Sequence, residues 1–173
     1  MRRRFLTLAV VSSLPLVFWL SSWNVPGYSR LELTEAETGR RLAWYVLADE
    51  EPVVLKWRNS LFGLDVTEVL IAGSGVLIQT EVTFADPGGE PPPRVSARDV
   101  DDLYHTGGAF SAAGMSRPLT RVVYRVGEIG EPKLTVRGRV VDFKREVGFG
   151  GRVVLTASAP SLFEKLWGKL RTR

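Results

Sequence analysis

Alternation of apolar and polar residues is the dominant pattern of this chain. The clearest run, from Val53 to Phe84, reads VVLKWRNSLFGLDVTEVLIAGSGVLIQTEVTF and contains three strand-like segments. Within each segment apolar residues recur at every second position, as expected for strands with one buried face. The sequence GSG between the second and third segments is a good hairpin connector. This run therefore predicts an antiparallel meander at the centre of a β-rich domain.

Further strand-like segments lie on both sides of the meander. They cover residues 30–36, 41–48, 119–126, 134–143 and 152–157. The total is about eight short strands at close spacing, without βαβ alternation and without an internal repeat. We predict a mainly β fold, an antiparallel β-sandwich or barrel, formed by residues 24–159.

Residues 85–116 interrupt this pattern. They include DPGGEPPP, a short charged run at 98–102, and the glycine- and alanine-rich YHTGGAFSAAGMS. A connection of about 30 residues without regular structure is unusual inside a compact domain. We expect parts of it to form a short strand or a helical turn that covers one end of the sheet.

The first 23 residues read MRRRFLTLAVVSSLPLVFWLSSW, in which three arginines precede a mostly apolar run. This order is typical of a signal peptide or a signal-anchor. The positive-inside rule predicts a cytoplasmic N-terminus and an extracytoplasmic domain. We favour a retained membrane helix in a single-pass protein of the cell membrane, with cleavage and a secreted or periplasmic domain as the alternative.

The last stretch, residues 160–173, reads PSLFEKLWGKLRTR and predicts a basic amphipathic helix. Ser161 and Glu164 have the spacing of a capping box at its start. The pattern leaves three interpretations open: a helix packed on the domain, a helix on the membrane surface, or a helix docked on a partner protein.

Composition narrows the function classes. The 173 residues include no cysteine and one histidine, which excludes disulfides, thiolate metal sites and a cysteine nucleophile. The net charge is +4, and part of the excess lies at the two ends beside apolar segments. We therefore expect contact with the lipid bilayer and no binding of nucleic acid.

Three polar residues of the meander are candidates for binding chemistry. Asn59 and Ser60 follow the first strand, and Glu68 lies within the second. The spacing predicts Asn59 opposite Val66 or Glu68, so that Asn59 and Glu68 become direct or diagonal neighbours on one face. A polar patch at this point predicts either a register-fixing hydrogen bond or part of a ligand site.

The single histidine, His105, is a fourth candidate for ligand binding. No serine lies in a strained nucleophile elbow, and the glycine-rich segments match no phosphate-binding loop. The acidic residues at 99–102 do not have the spacing of a calcium-binding loop. We therefore expect no catalytic residues, no metal, no cofactor and no enzymatic activity.

The residues WRNS with Glu68, the strand ending at Phe84, and the closing segments VVYRVG, KLTVRG and GRVVLT carry a resemblance. Over roughly Leu31 to Ala157 the chain resembles the bacterial extracytoplasmic domain-of-unknown-function family 1850, whose genes neighbour TAXI-type TRAP transporters. The resemblance implies a His-Ser pair followed by a glutamate. Ser60 and Glu68 match this pattern, and Asn59 stands where the histidine is expected.

Together these features predict a membrane-anchored extracytoplasmic accessory domain that binds a partner, either a component of a TRAP-type transporter or another envelope protein. The alternative is a small-ligand binding module. Its site would combine Asn59, Ser60 and Glu68 with the 85–116 segment that contains His105.

Overall fold

A computed structural model describes residues 24–171 of the protein. The predicted signal-anchor, residues 1–23, lies outside the described residues. Among the helices of residues 24–171, none is long and apolar enough to cross a membrane.

Ten strands and three short helices make up the described chain. The first five strands, which include the meander, are β1 (Tyr28–Glu35), β2 (Arg41–Ala48), β3 (Pro52–Arg58), β4 (Asp65–Gly73) and β5 (Val76–Ala85). The remaining elements are α1 (Val100–Thr106), β6 (Phe110–Leu119), β7 (Arg121–Arg125), β8 (Lys133–Val136), β9 (Arg139–Asp142), α2 (Phe143–Val147), β10 (Arg152–Ser158) and α3 (Leu162–Arg171).

The strands form two antiparallel sheets. The smaller has the order β2-β1-β10-β7, and the larger has the order β6-β5-β4-β3-β8-β9. The mainly β, antiparallel prediction is confirmed, and the arrangement is consistent with a β-sandwich. The predicted number of strands was too low, because 134–143 is a hairpin of two strands and β6 was not identified.

Two hydrophobic clusters cover the inner face of the larger sheet. In the first, β1 and β10 of the smaller sheet contribute Leu31, Leu33, Val153 and Leu155 against β3, β4 and β5. In the second, Val66, Val82, Phe84 and Phe110 of the larger sheet pack under α1. The larger sheet is therefore covered by the smaller sheet over one part and by a helix over another.

The 85–116 segment contains regular structure, as predicted. Val100 of α1 is buried in the second cluster, and Leu103 and Tyr104 pack against it. The helix ends at Gly107, whose φ of +79° is unfavourable for residues with a side chain. A Cβ at this position would also lie 2.6 Å from the ring of Phe62. The segment thus covers one end of the larger sheet and contributes the edge strand β6.

A β-bulge in β5 changes which residues face the core. Val69 pairs with Glu81, but the next residue, Leu70, pairs with Gln79. Thr80 is therefore the extra residue, and its hydroxyl donates to the Val69 carbonyl over 3.2 Å. Strict alternation along β5 would turn Gln79 outward with Glu81 and Thr83, but the bulge reverses the alternation at this point. Gln79 is 3% exposed.

The capping box predicted for the C-terminal helix is present. The Glu164 amide donates to Ser161 Oγ over 3.2 Å, and the Ser161 amide donates to Glu164 Oε2 over 2.8 Å. Arg30 of β1 pairs with Glu164, which fastens the first turn of α3 to the smaller sheet. The start of the helix is therefore packed on the domain.

Candidate functional site

Glu68 is a buried carboxylate held by three neutral donors. Trp57 Nε1 donates to Oε1 over 2.8 Å, and the Tyr124 hydroxyl donates to Oε2 over 2.9 Å. Gln79 Nε2 also donates to Oε2, over 3.2 Å. Glu68 is 6% exposed, and within residues 24–166 no lysine, arginine or histidine nitrogen comes within 4.0 Å of its oxygens. The carboxylate is thus hydrogen-bonded but has no adjacent counter-ion.

The strands bring these donors together from both sheets. Glu68 lies on β4 between Val66, in the second cluster, and Leu70, in the first, so it occupies the boundary between the two. Trp57 comes from the adjacent strand β3, and the bulge turns Gln79 of β5 inward. Tyr124 belongs to β7 of the smaller sheet. Its hydrogen bond to Glu68 therefore connects the two sheets.

Burial controls the proton equilibria of this cluster. Loss of solvation raises the pKa of Glu68, while the hydrogen bonds from Trp57 and Tyr124 and the charge of Arg117 oppose the rise. Burial, with the nearby charge of Glu68, raises the pKa of Tyr104 to about 12. The same two causes raise the pKa of Tyr124. Both tyrosine hydroxyls therefore remain protonated at neutral pH.

The raised pKa of Glu68 also has a consequence for stability. The stability that Glu68 contributes is fully present at pH values below its pKa in the unfolded chain, where the carboxyl is protonated in both the folded and the unfolded state. That contribution is lost as the pH rises through the higher pKa of the folded state. Ionised Glu68 is the costly form, and any group that compensates its charge stabilises the folded protein.

A cavity of about 610 Å³ opens beside Glu68, and we call it the Glu68 cavity. Helix α1 supplies part of the wall, and β5, β6 and β7 supply most of the rest. Arg117 and Asp101 form an ion pair of 2.8 Å with side chains 47% and 74% exposed. The residues that line the cavity are Glu68, Gln79, Asp101, Tyr104, His105, Arg117, Leu119 and Val122.

Two of the four predicted site residues meet in this cavity. Glu68 lies at its buried side, and His105 is an exposed residue in the last turn of α1. They are 37 positions apart in sequence, and α1 brings them to the same cavity. The prediction that the 85–116 segment lies beside Glu68 agrees with this geometry.

The predicted contact between Asn59 and Glu68 does not form. The Asn59 amide donates to the Leu64 carbonyl over 2.8 Å, which closes a tighter turn than expected, and Glu68 pairs with Leu55. The Asn59 side chain accepts from the amides of Leu61 and Phe62. The register prediction was wrong because Asn59 belongs to the turn and not to the strand. Asparagine commonly occupies turn positions, where its side chain accepts from nearby backbone amides.

Asn59 and Ser60 instead line a second cavity, of about 660 Å³. Leu61, Ile129 and Phe149 lie on its rim with exposed fractions of 84%, 53% and 73%. We call these three residues the distal apolar surface. Arg58 and Arg125 also line the cavity. The four predicted residues thus divide between two places on the domain.

Three residues of the Glu68 cluster were not identified from sequence. The contacts of Trp57 and Tyr124 with Glu68 join residues 11 and 56 positions apart. Gln79 reaches Glu68 because of the bulge in β5. The requirement that a buried carboxylate has hydrogen-bond donors is the signal that could have prompted a search for such partners.

Within residues 24–171 no three His, Cys, Asp or Glu side chains lie close enough together to hold a metal ion.

Comparisons of the chain with protein-family models, with curated proteins and with solved structures find no significant match.

Proposed function

We propose that this protein is a membrane-attached extracytoplasmic domain that binds a small solute in the Glu68 cavity. One observation carries the proposal: a buried carboxylate, fixed by donors from both sheets, lines a cavity with polar residues at its entrance. Ligand sites commonly combine a concave surface with a few fixed polar groups and residues of perturbed pKa. The arginines and apolar run of residues 1–23 support the membrane attachment.

The position of the polar groups supports binding more than catalysis. Tyr104 and Tyr124 remain protonated, and Glu68 is held on both oxygens. Within the described residues no serine or threonine is hydrogen-bonded to Glu68 or lines its cavity with His105. The cavity supports recognition of a solute, in agreement with the resemblance to a family associated with solute uptake.

A thermal-shift screen of the full chain in neutral detergent tests the proposal. At a concentration one hundred times its Kd, a solute stabilises the fold by about 2.7 kcal/mol, which raises Tm by about 5 °C or more. We expect a hit among small charged and amphipathic solutes. The shift should disappear in Glu68→Ala and persist in Glu81→Ala, because Glu81 is exposed on the opposite face of β5.

Two outcomes would contradict the proposal. If no solute of the screen raises Tm, the cavity is not a solute site. If a hit binds Glu68→Ala as tightly as the wild-type protein, the site lies elsewhere on the domain.

A second candidate function, docking of a partner protein, has its own supporting observation. The distal apolar surface lies where β1 ends and β10 begins. The chain leaves its N-terminal segment at the other end of β1, about 25 Å away for a strand of eight residues. An attached domain would therefore present this surface away from the bilayer, with Arg58 and Arg125 beside it. These features fit an apolar segment with acidic side chains in a transporter component or another envelope protein.

Affinity purification from solubilised membranes tests this second function. We expect the wild-type chain to recover a transporter or envelope protein, and Leu61→Asp to reduce the recovery about tenfold or more, because a charge would be buried in the apolar contact. Val140→Asp is the matched control, since Val140 is also exposed but lies on β9. Equal loss with both variants, or no such protein with the wild type, would refute this function.

A further inference from the structure

The Glu68 cavity has opposite charges at different depths. Glu68 is buried, and its three hydrogen-bond donors are neutral. Arg117 is an exposed residue of the cavity wall, where it pairs with Asp101. Negative charge therefore lies at the inner part of the cavity, and positive charge is available near the solvent.

The inner carboxylate lacks a cation that would balance it. Buried charges in proteins are normally paired, because an unbalanced buried charge is expensive. Among residues 24–171, Arg117 is the cation whose charge acts on Glu68, and its guanidinium is bound to Asp101 instead. An ammonium group of a ligand would supply the missing charge and would add a charge-assisted hydrogen bond.

Arg117, which lies near the solvent, can bind the other end of such a ligand. The Arg117–Asp101 pair is exposed, and exposed pairs contribute little to stability, so Arg117 can exchange Asp101 for another carboxylate at little cost. A cation alone would leave Arg117 paired with Asp101 and would gain no contact with the arginine. A ligand that also carries a carboxylate gains an interaction with Arg117 at the entrance.

From this arrangement we infer that the Glu68 cavity binds a small zwitterion, with its ammonium group at Glu68 and its carboxylate at Arg117. The inference rests on the proposed solute-binding function and specifies the class of solute. The ligand class is that of amino acids, including those in which several methylene groups separate the two charges. Leu119, Val122 and the ring of Tyr104 provide apolar contacts for the linking carbons.

Binding should depend on pH in a defined direction. The groups that face Glu68 are Tyr124 from β7, Tyr104, Asp101 and His105 from α1, and Arg117 from β6. An ammonium group prefers the ionised carboxylate, and the pKa of Glu68 is raised. Affinity should therefore increase as the pH rises through the Glu68 pKa, with proton release on binding below it.

A set of matched probes tests the inference by calorimetry on the full chain. 4-Aminobutyrate carries both charges, while n-butylammonium and butyrate carry one each on a chain of the same length. Glycine and 6-aminohexanoate vary the distance between the charges. We expect one of the amino acids to bind about threefold to fivefold more tightly than butylammonium, because its carboxylate meets an exposed arginine, and butyrate to bind weakest.

Three variants assign the two ends of the ligand. Glu68→Gln keeps the shape of the side chain and should weaken the zwitterion about tenfold or more. Arg117→Gln should reduce the affinity of the zwitterion to that of butylammonium while leaving butylammonium itself no weaker. Arg121→Gln is the control, because Arg121 is an exposed arginine of β7 that does not line the cavity.

The outcomes separate this inference from the proposed function. Butyrate binding as tightly as the amino acids would overturn the inference, and this comparison needs no variant to fold. A screen hit that depends on Glu68 but carries no ammonium group would also overturn it, while the solute-binding function would stand. If neither these probes nor any screened solute binds, both fail.

Discussion

The Glu68→Leu variant should lose about 3 kcal/mol of unfolding free energy at neutral pH. Leucine fills a similar volume, so the main change is chemical. Trp57 Nε1 and the Tyr124 hydroxyl lose their acceptor, and the Gln79 amide keeps only the Tyr104 hydroxyl, at 3.4 Å. A buried donor without an acceptor costs about 1–3 kcal/mol. The variant also no longer buries a carboxylate, and this gain in stability offsets part of these costs.

Urea unfolding of the full chain, followed by tryptophan fluorescence, measures this loss. Tyr124→Phe removes only the hydrogen bond between the sheets and should cost about 1 kcal/mol. Glu81→Leu changes an exposed glutamate of β5 and should remain within about 0.5 kcal/mol of the wild type. A Glu68→Leu variant as stable as the wild type would show that the cluster contributes nothing to the association of the sheets.

Phe143→Ala should reduce the unfolding free energy by about 3–5 kcal/mol. Phe143 is fully buried in the first hydrophobic cluster at the start of α2. Its ring lies 6.2 Å from that of Tyr124, so the resulting cavity would also remove support from the residue that joins the sheets. The same unfolding measurement determines the loss.

Phe149→Ala provides a control with the same change of side chain. Phe149 is 73% exposed, and its replacement should alter stability by less than about 0.5 kcal/mol. Similar losses for the two variants would contradict the assignment of Phe143 to the core.

The strands with β-branched and aromatic residues could be predicted from the sequence. In β4 the apolar residues Val66, Leu70 and Ala72 alternate with partly exposed ones, and all three are buried. β6 was not identified because its sequence, FSAAGMSRPL, is rich in small residues and contains Gly114 and Pro118, which strands usually avoid. Its place at an edge of the sheet makes this composition possible.

The candidate site could be predicted only in part. Glu68 was identified because a charged residue at an inward position of a strand needs a partner. The identity of that partner depends on Tyr124, which is distant in sequence, and on the orientation of Gln79, which depends on one extra residue at Thr80. Side-chain alternation predicts burial well until a bulge reverses it, and the sequence of β5 contains no glycine or proline that marks the position.

The start of β1 and the start of α3 lie side by side. Asn24 forms an isolated bridge with Ser161, and the Val25 amide donates to the Pro160 carbonyl over 3.0 Å. If residues 1–23 anchor the domain as proposed, a mechanical load between them and the C-terminal helix would enter and leave the domain at the same point. It would strain this bridge first and would spare the two sheets. Such a load would separate α3 from the domain before it reached the Glu68 cavity.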